Sequence, residues 1–170
     1  MNCGATGTFG NITTSGNTTL GGTLSVAGNY GAWARFTLYG TSYPASVVSA
    51  LTWSTSFTSS NITRTANSSS FAVSQAGVYK FDAQVTFQTG QTAIFILALQ
   101  RSTNSGSAWT TYNATYSLNA STVVVNFLTL SSLVQANAGD WFQYTISNPI
   151  ASALLISSSG YTFQSVCRVG

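Results

Sequence analysis

The sequence contains no histidine and no glutamate, and its only acids are Asp82 and Asp140. General acid/base catalysis needs a group that titrates near neutrality, and the many serines have no histidine to activate them. That removes most enzymes. A Ser-Lys pair built on Lys80 is the residual catalytic option, but Lys80 stands two residues from Asp82 in an alternating segment and reads as solvated. Zinc lacks its usual ligands, and a calcium cage would have to be assembled from two separated aspartates and carbonyls. No metal or other cofactor is expected. Asp140 follows Gly139 and reads as a turn residue whose carboxylate accepts backbone N–H groups. The glycines lead into neither Lys nor a helix, so no phosphate-binding loop is present.

Charge is scarce altogether. Charged residues make up 4% of the chain against an average of about 25%, so Ser, Thr, Asn and Gln must keep the surface wet. Such a surface suits an assembly or an extracellular setting and can meet neutral ligands such as sugars. The net charge of +3 rests on Arg35, Arg64, Lys80, Arg101 and Arg168, scattered singly. They leave no electrostatic footprint for nucleic acid and read as structural charge partners or solvated positions. No apolar run approaches the roughly 20 residues of a membrane span, so no membrane insertion is expected. The first residues lack a secretory pattern, so export would use a leader outside this sequence, or assembly inside a host would make one unnecessary. Two cysteines, Cys3 and Cys167, allow at most one bridge and are expected to be free. Cys167 reads as a small buried apolar residue of the last strand, and Cys3 as a possible cross-link at the foot of an assembly. Six Asn-x-Ser/Thr sequons occur, at Asn11, Asn17, Asn61, Asn67, Asn113 and Asn119, in a chain so rich in Ser and Thr that several arise by chance.

What is present is strand pattern. Tyr79, Phe81, Ala83, Val85 and Phe87 alternate with Lys80, Asp82, Gln84, Thr86 and Gln88, the period-two signature of a strand with one buried face. Burying Phe81, Val85 and Phe87 contributes roughly 1.5–3 kcal/mol each, which makes this strand the expected centre of a sheet. Gly77 marks a corner that follows a short strand at Phe71 to Val73.

Glycine recurs at 4, 10, 16, 22 and 28. A repeat with one or two apolar residues per unit (Phe9, Ile12, Leu20, Leu24, Val26) cannot bury a core alone and must stack on copies or neighbouring chains. Residues 1–31 are therefore expected to form a threefold β-repeat stalk similar to the shafts of viral and phage fibres; a flexible Gly/Thr/Ser leader is the alternative. The head is expected over 32–170. Its strands are read at Trp33 to Tyr39, at Val47 to Phe57 (one strand, with or without a bulge), and at Ala93 to Leu99. Further strands are read at Val123 to Leu130, Trp141 to Ile146, Ala153 to Ile156 and Tyr161 to Val169. Polar loops are expected from Phe57 to Ser70 and from Arg101 to Gly106. Ala93 to Leu99 is apolar on both faces, and a trimer core would cover the second face. About ten short strands without a helical period predict an all-β jelly-roll sandwich.

Trp109, Tyr112 and Tyr116 rise from a Thr/Asn/Ser background with Asn113 and Asn119. Aromatics with amides suit carbohydrate or protein contact, so Trp109, Tyr112, Asn113 and Tyr116 are the candidate ligand-binding residues; the competing reading packs these aromatics on the sheet.

Gly77, Tyr79 and Phe81, at the start of a long alternating strand, resemble a corner of the tumour-necrosis-factor and complement superfamily, including the globular head of complement first-component subunit q. Leu130 to Tyr144, with its apolar strand, Gly139-Asp140 turn and following strand, is similar to a second segment of that family, and Tyr161 to Val166 to its closing strand. The resemblance implies a trimeric jelly-roll head with a binding role. With the stalk it points to a non-enzymatic surface spike or fibre head on a virion. Such a head would be a homotrimer attached to other virion or capsid proteins through residues 1–31 and would bind a host glycan or protein receptor. A structural capsid or cement protein, and a secreted complement- or cytokine-like recognition protein, are the alternatives.

Overall fold

The computed structural model describes residues 33–37, 42–53, 55–58, 61–64, 68–88, 93–119, 126–151, 154–156 and 162–169. The glycine-period segment 1–31, Cys3 and the start of the strand expected at Val123 lie outside them. Among the described residues there are thirteen strands and no helix, hence no helix able to cross a membrane. In chain order they are β1 (Trp33–Thr37), β2 (Ser42–Tyr43), β3 (Val47–Ala50), β4 (Thr55–Thr58), β5 (Ile62–Thr63), β6 (Ser70–Val73) and β7 (Gly77–Gln88). There follow β8 (Ala93–Ser102), β9 (Thr110–Asn119), β10 (Asn126–Ala136), β11 (Trp141–Asn148), β12 (Leu154–Ile156) and β13 (Phe163–Arg168).

They form two antiparallel sheets. The first, seven-stranded, is centred on β7, which pairs with β10 along one edge and with β13 and β12 along the other; β1 and β4 extend it beyond β13, and β2 pairs with β12. The second, six-stranded, runs β5-β6-β11-β8-β9, with β3 also paired to β11. The alternation in β7 faces its five apolar residues into the space between the sheets, where Phe81, Val85 and Phe87 are fully buried. Opposite them stand Phe95, Leu97 and Leu99 of β8 and Phe142, Tyr144 and Ile146 of β11, also fully buried. Gly77 opens β7, and the chain passes from the second sheet to the first between Val73 and Gly77; Tyr79 Oη donates to the Gln75 carbonyl at 2.8 Å and holds that corner.

Five sequence expectations need correction. Val47 to Phe57 is not one strand: β3 joins the second sheet and β4 the first. Leu51 and Trp53 between them are fully buried, and Leu51 N donates to the Tyr144 carbonyl at 2.8 Å, so the apolar residues anchor a crossing. The loop expected up to Ser70 contains β5, with Ile62 buried against the core, and the turn expected from Arg101 begins only after Ser102. Strands exceed the expected ten because these short pieces pair separately. Cys167 is not a core residue: alternation in β13 sends Gln164 and Val166 inward and leaves Cys167, half-buried, beside Lys80 on the outer face.

The second face of β8 is apolar and open in the single chain, with Ile94 53% and Ile96 39% exposed. The outer face of the first sheet is mixed. Lys80 Nζ lies 3.3 Å from Asp82 Oδ2, Ser131 Oγ donates to Asp82 Oδ1 at 2.6 Å, and the Arg35 guanidinium stands 5.3 Å over the Phe163 ring.

Tyr144 supplies a stability prediction. It is fully buried, its ring meets Trp53 edge-on at 6.5 Å, and among the described residues its hydroxyl has no partner. A buried hydroxyl left unsatisfied costs about 1–3 kcal/mol, so Tyr144→Phe is expected to raise stability by about 1 kcal/mol in urea denaturation. Burial, and secondarily the Asp82 charge, push the Tyr144 phenol well above its ordinary range. A folded-state pKa raised above the unfolded value favours folding fully below the unfolded pKa of about 10 and ceases to do so as pH rises further. The stability gap between Tyr144→Phe and the parent should therefore widen above pH 10.

Candidate functional site

The β8–β9 hairpin builds a depression on the surface. Its tip is tied by side chains rather than by packing: Ser102 Oγ donates to Asn104 Oδ1 at 2.7 Å and accepts from Gly106 N at 3.0 Å, while Asn104 Oδ1 accepts from Ala108 N at 2.9 Å. Ser105 and Gly106 take φ of 58° and 83°, left-handed values that glycine adopts without a Cβ penalty. Trp109 is half-buried beneath this tip, with its ring 3.5 Å from where a Cβ on Gly106 would sit.

Beside the tip lies an open hollow of about 330 Å³ lined by Arg101, Thr103, Asn104, Thr110, Thr111 and Tyr112. Arg101 is fixed before any ligand arrives. Its Nη1 donates to the Gln135 carbonyl at 3.2 Å and its Nη2 donates to Asp140 Oδ2. The Asp140 side chain is 5% exposed and the Arg101 side chain 22%, so Arg101, not the carboxylate, borders the hollow. The expected turn role of Asp140 is present too, since Oδ2 accepts from Asn137 N at 2.7 Å.

The structure separates the candidate aromatics. A β-bulge pairs Leu99 with Asn113 but Gln100 with Thr111, leaving Tyr112 as the extra residue. Its ring is half-exposed and its hydroxyl donates to the Leu133 carbonyl at 3.4 Å, across the edge where β9 meets β10. Asn113 is exposed but engaged: Nδ2 donates to Ser132 Oγ at 2.6 Å, and Oδ1 accepts from Ala114 N at 2.8 Å. Tyr116 is 76% exposed on the outer face of the second sheet, opposite Ile96. Asn119 pairs with Ala93 at the far end of the hairpin. Of the candidates, Tyr112 alone lines the hollow, and the Trp109 ring lies against Gly106 at the tip. Sequence reasoning missed Arg101, Asn104, Thr110 and Thr111 as its neighbours. Reading Ala93 to Tyr116 as one hairpin with its turn at Gly106 would have set Arg101 against Thr110.

Among the described residues no three of His, Cys, Asp and Glu come together to hold a metal ion. No protein-family model matches the chain, and no curated protein matches it in sequence. Solved structures share its fold. The structure of Eiger TNF from S. frugiperda is similar with a TM-score of 0.63 at 14% identity, covering 83% of this chain and 94% of that one. Murine APRIL at pH 5.0 gives 0.63 at 18% identity, covering 82% of this chain and 99% of that one. At pH 8.5 murine APRIL gives 0.60 at 17%, covering 81% and 98%. Two packed antiparallel sheets, centred on β7 and joined by the corner at Gly77, thus make this chain a jelly roll of the tumour-necrosis-factor type.

Proposed function

We propose that the chain is a non-enzymatic recognition head that works as a homotrimer on a virus or phage surface. In this reading residues 1–31 attach it to other virion proteins, and residues 32–170 bind a host glycan or protein receptor. The observation that carries the binding role is the preformed hollow beside Tyr112. An aromatic face, three threonine hydroxyls, an amide and one fixed arginine suit a sugar ring, whose apolar face stacks while its hydroxyls pair. Trp109 and Asn113 hold this site in shape rather than touching the ligand. The trimer rests on the tumour-necrosis-factor resemblance and on exposed Phe127 and Leu133 of β10, which face outward on the first sheet. A closed ring of three needs two different complementary patches. The exposed edge of β10 with Phe127 and Leu133, and the groove along Asp82, Gln84, Thr129 and Phe163, are two such patches. The viral setting rests on the glycine period of six.

Light scattering under reducing conditions is expected to give three times 17.8 kDa. Tyr112→Ala is expected to keep that mass while weakening binding in a glycan array and to host cells at least about tenfold, roughly 1.4 kcal/mol. Unchanged binding would remove the hollow as the site, and a monomer would remove the trimer. A structural shell protein is the second reading, favoured by the open apolar face of β8.

A further inference from the structure

The outer face of the second sheet carries an uncharged apolar row that the single chain leaves open. Register places Val48 of β3, Ser147 of β11, Ile96 of β8 and Tyr116 of β9 side by side on that face. Val48 is 64% exposed, Ile96 39% and Tyr116 76%, and Ile94, one step along β8, is 53% exposed. A sheet face meant for water alternates to polar residues on its wet side; β8 instead offers Ile94 and Ile96 there, before buried Ala98 and then Gln100. All seven charged residues of the chain lie elsewhere. Arg35, Lys80 and Asp82 are on the outer face of the other sheet, Arg101 is paired with Asp140, Arg168 bonds Gln75, and Arg64 bonds the Trp53 and Ser68 carbonyls.

We infer that this face is a self-association surface, on which a second copy of the chain docks by a two-fold contact. A neutral face gives an oppositely charged partner nothing to steer by, so its complement must be neutral and apolar too. The same face on another copy has that character. Rotation about a two-fold axis through the middle of the row, between Ser147 and Ile96, sets Tyr116 of each copy on Val48 of the other, an aromatic against a β-branched side chain. Size fixes the strength. Four strands about 4.8 Å apart, over the roughly 20 Å from Ile94 to Gln100, give a footprint on the order of 400 Å² per copy. That is about half of the roughly 800 Å² per partner of a stable complex. One contact is therefore weak and concentration-dependent, and several acting together on an oligomer hold firmly. This inference stands on the row itself and does not require the trimer.

The test is sedimentation velocity over a concentration series from about 1 μM to 1 mM. The low-concentration mass reads the basal unit, and so judges the trimer separately. The parent chain is expected to rise from that unit to its double or beyond, undiminished in 1 M salt, whereas Val48→Glu or Tyr116→Lys alone should weaken the rise at least tenfold. These positions are exposed, so the variants should keep the parent's circular dichroism. Mixing Val48→Glu chains with Tyr116→Lys chains should restore association, because the two-fold contact brings the new charges together. A parent that stays at its basal mass throughout, variants that associate like the parent, or a mixture that fails to recover would each overturn the inference.

Discussion

Phe81→Ala is expected to lower the unfolding free energy by about 3–5 kcal/mol, the range for emptying a buried aromatic site. The residue is fully buried, and its ring lies 4.6 Å from Phe142, 6.1 Å from Phe71 and 6.4 Å from Tyr79. Phe142 and Phe71 belong to β11 and β6 of the second sheet, so Phe81 joins the two sheets. Against a typical total of about 5–15 kcal/mol, such a loss leaves little. Phe81→Leu should recover more than half of it. Urea denaturation of both variants checks this, and a cost for Phe81→Ala below about 1 kcal/mol would mean that the sheets are held together elsewhere.

That cluster was legible in the sequence because a strand with one wet face writes its structure at period two. Tyr79 to Gln88 alternates without interruption, and β7 is the central strand with the predicted face inward. Short strands are harder to read. Val47 to Phe57 carries an apolar residue at irregular steps because Leu51 and Trp53 fill the core from a crossing, not from a strand, and periodicity cannot separate the two. Cys167 was misread for a different reason. Hydrophobicity suggested burial, whereas register follows the partner strand, and Cys167 falls opposite exposed Lys80 rather than Phe81.

The candidate site was legible by type and not by place. Aromatics in a polar background pointed to β9, but whether they share a surface depends on strand parity and on one bulge. Tyr112 and Tyr116, four residues apart on one strand, would share a face in a regular ladder. The bulge opposite Leu99 and Gln100, whose extra residue is Tyr112 itself, turns Tyr112 to the β10 edge and leaves Tyr116 on the outer face. A bulge leaves no periodic mark in sequence. Nor does the partner of Arg101, since Asp140 lies thirty-nine residues away and meets it only through the pairing of β8 with β11.

Asp140→Ala should be about as costly as the loss of Phe81, at about 3–5 kcal/mol, because it breaks a buried charge pair from one side. Asp140 is 3% exposed and is shared by three parts of the fold. Its carboxylate takes the Arg101 guanidinium from β8 and the Asn137 N–H from the β10–β11 turn, and its carbonyl accepts from Val73 N at 3.1 Å at the end of β6. In the same turn Gly139 takes a φ of 88°, and its N–H donates to the Val73 carbonyl at 2.8 Å. Removing the carboxylate leaves a largely covered cation and a backbone donor without their acceptor. Asp140→Asn keeps an acceptor and loses the charge, and should cost less. The cycle with Arg101→Met separates pairing from packing. If the cost is mainly an uncompensated cation, Arg101→Met in the Asp140→Ala background should regain at least half of it. If the double variant is no more stable than Asp140→Ala, the turn itself, through Asn137, carries the cost. The cycle also bears on binding. Arg101 borders the hollow beside Tyr112 and owes its fixed position to Asp140, so Asp140→Asn should weaken ligand binding at temperatures where the variant is still folded. The hollow depends on a turn in the neighbouring strand pair as much as on its own lining.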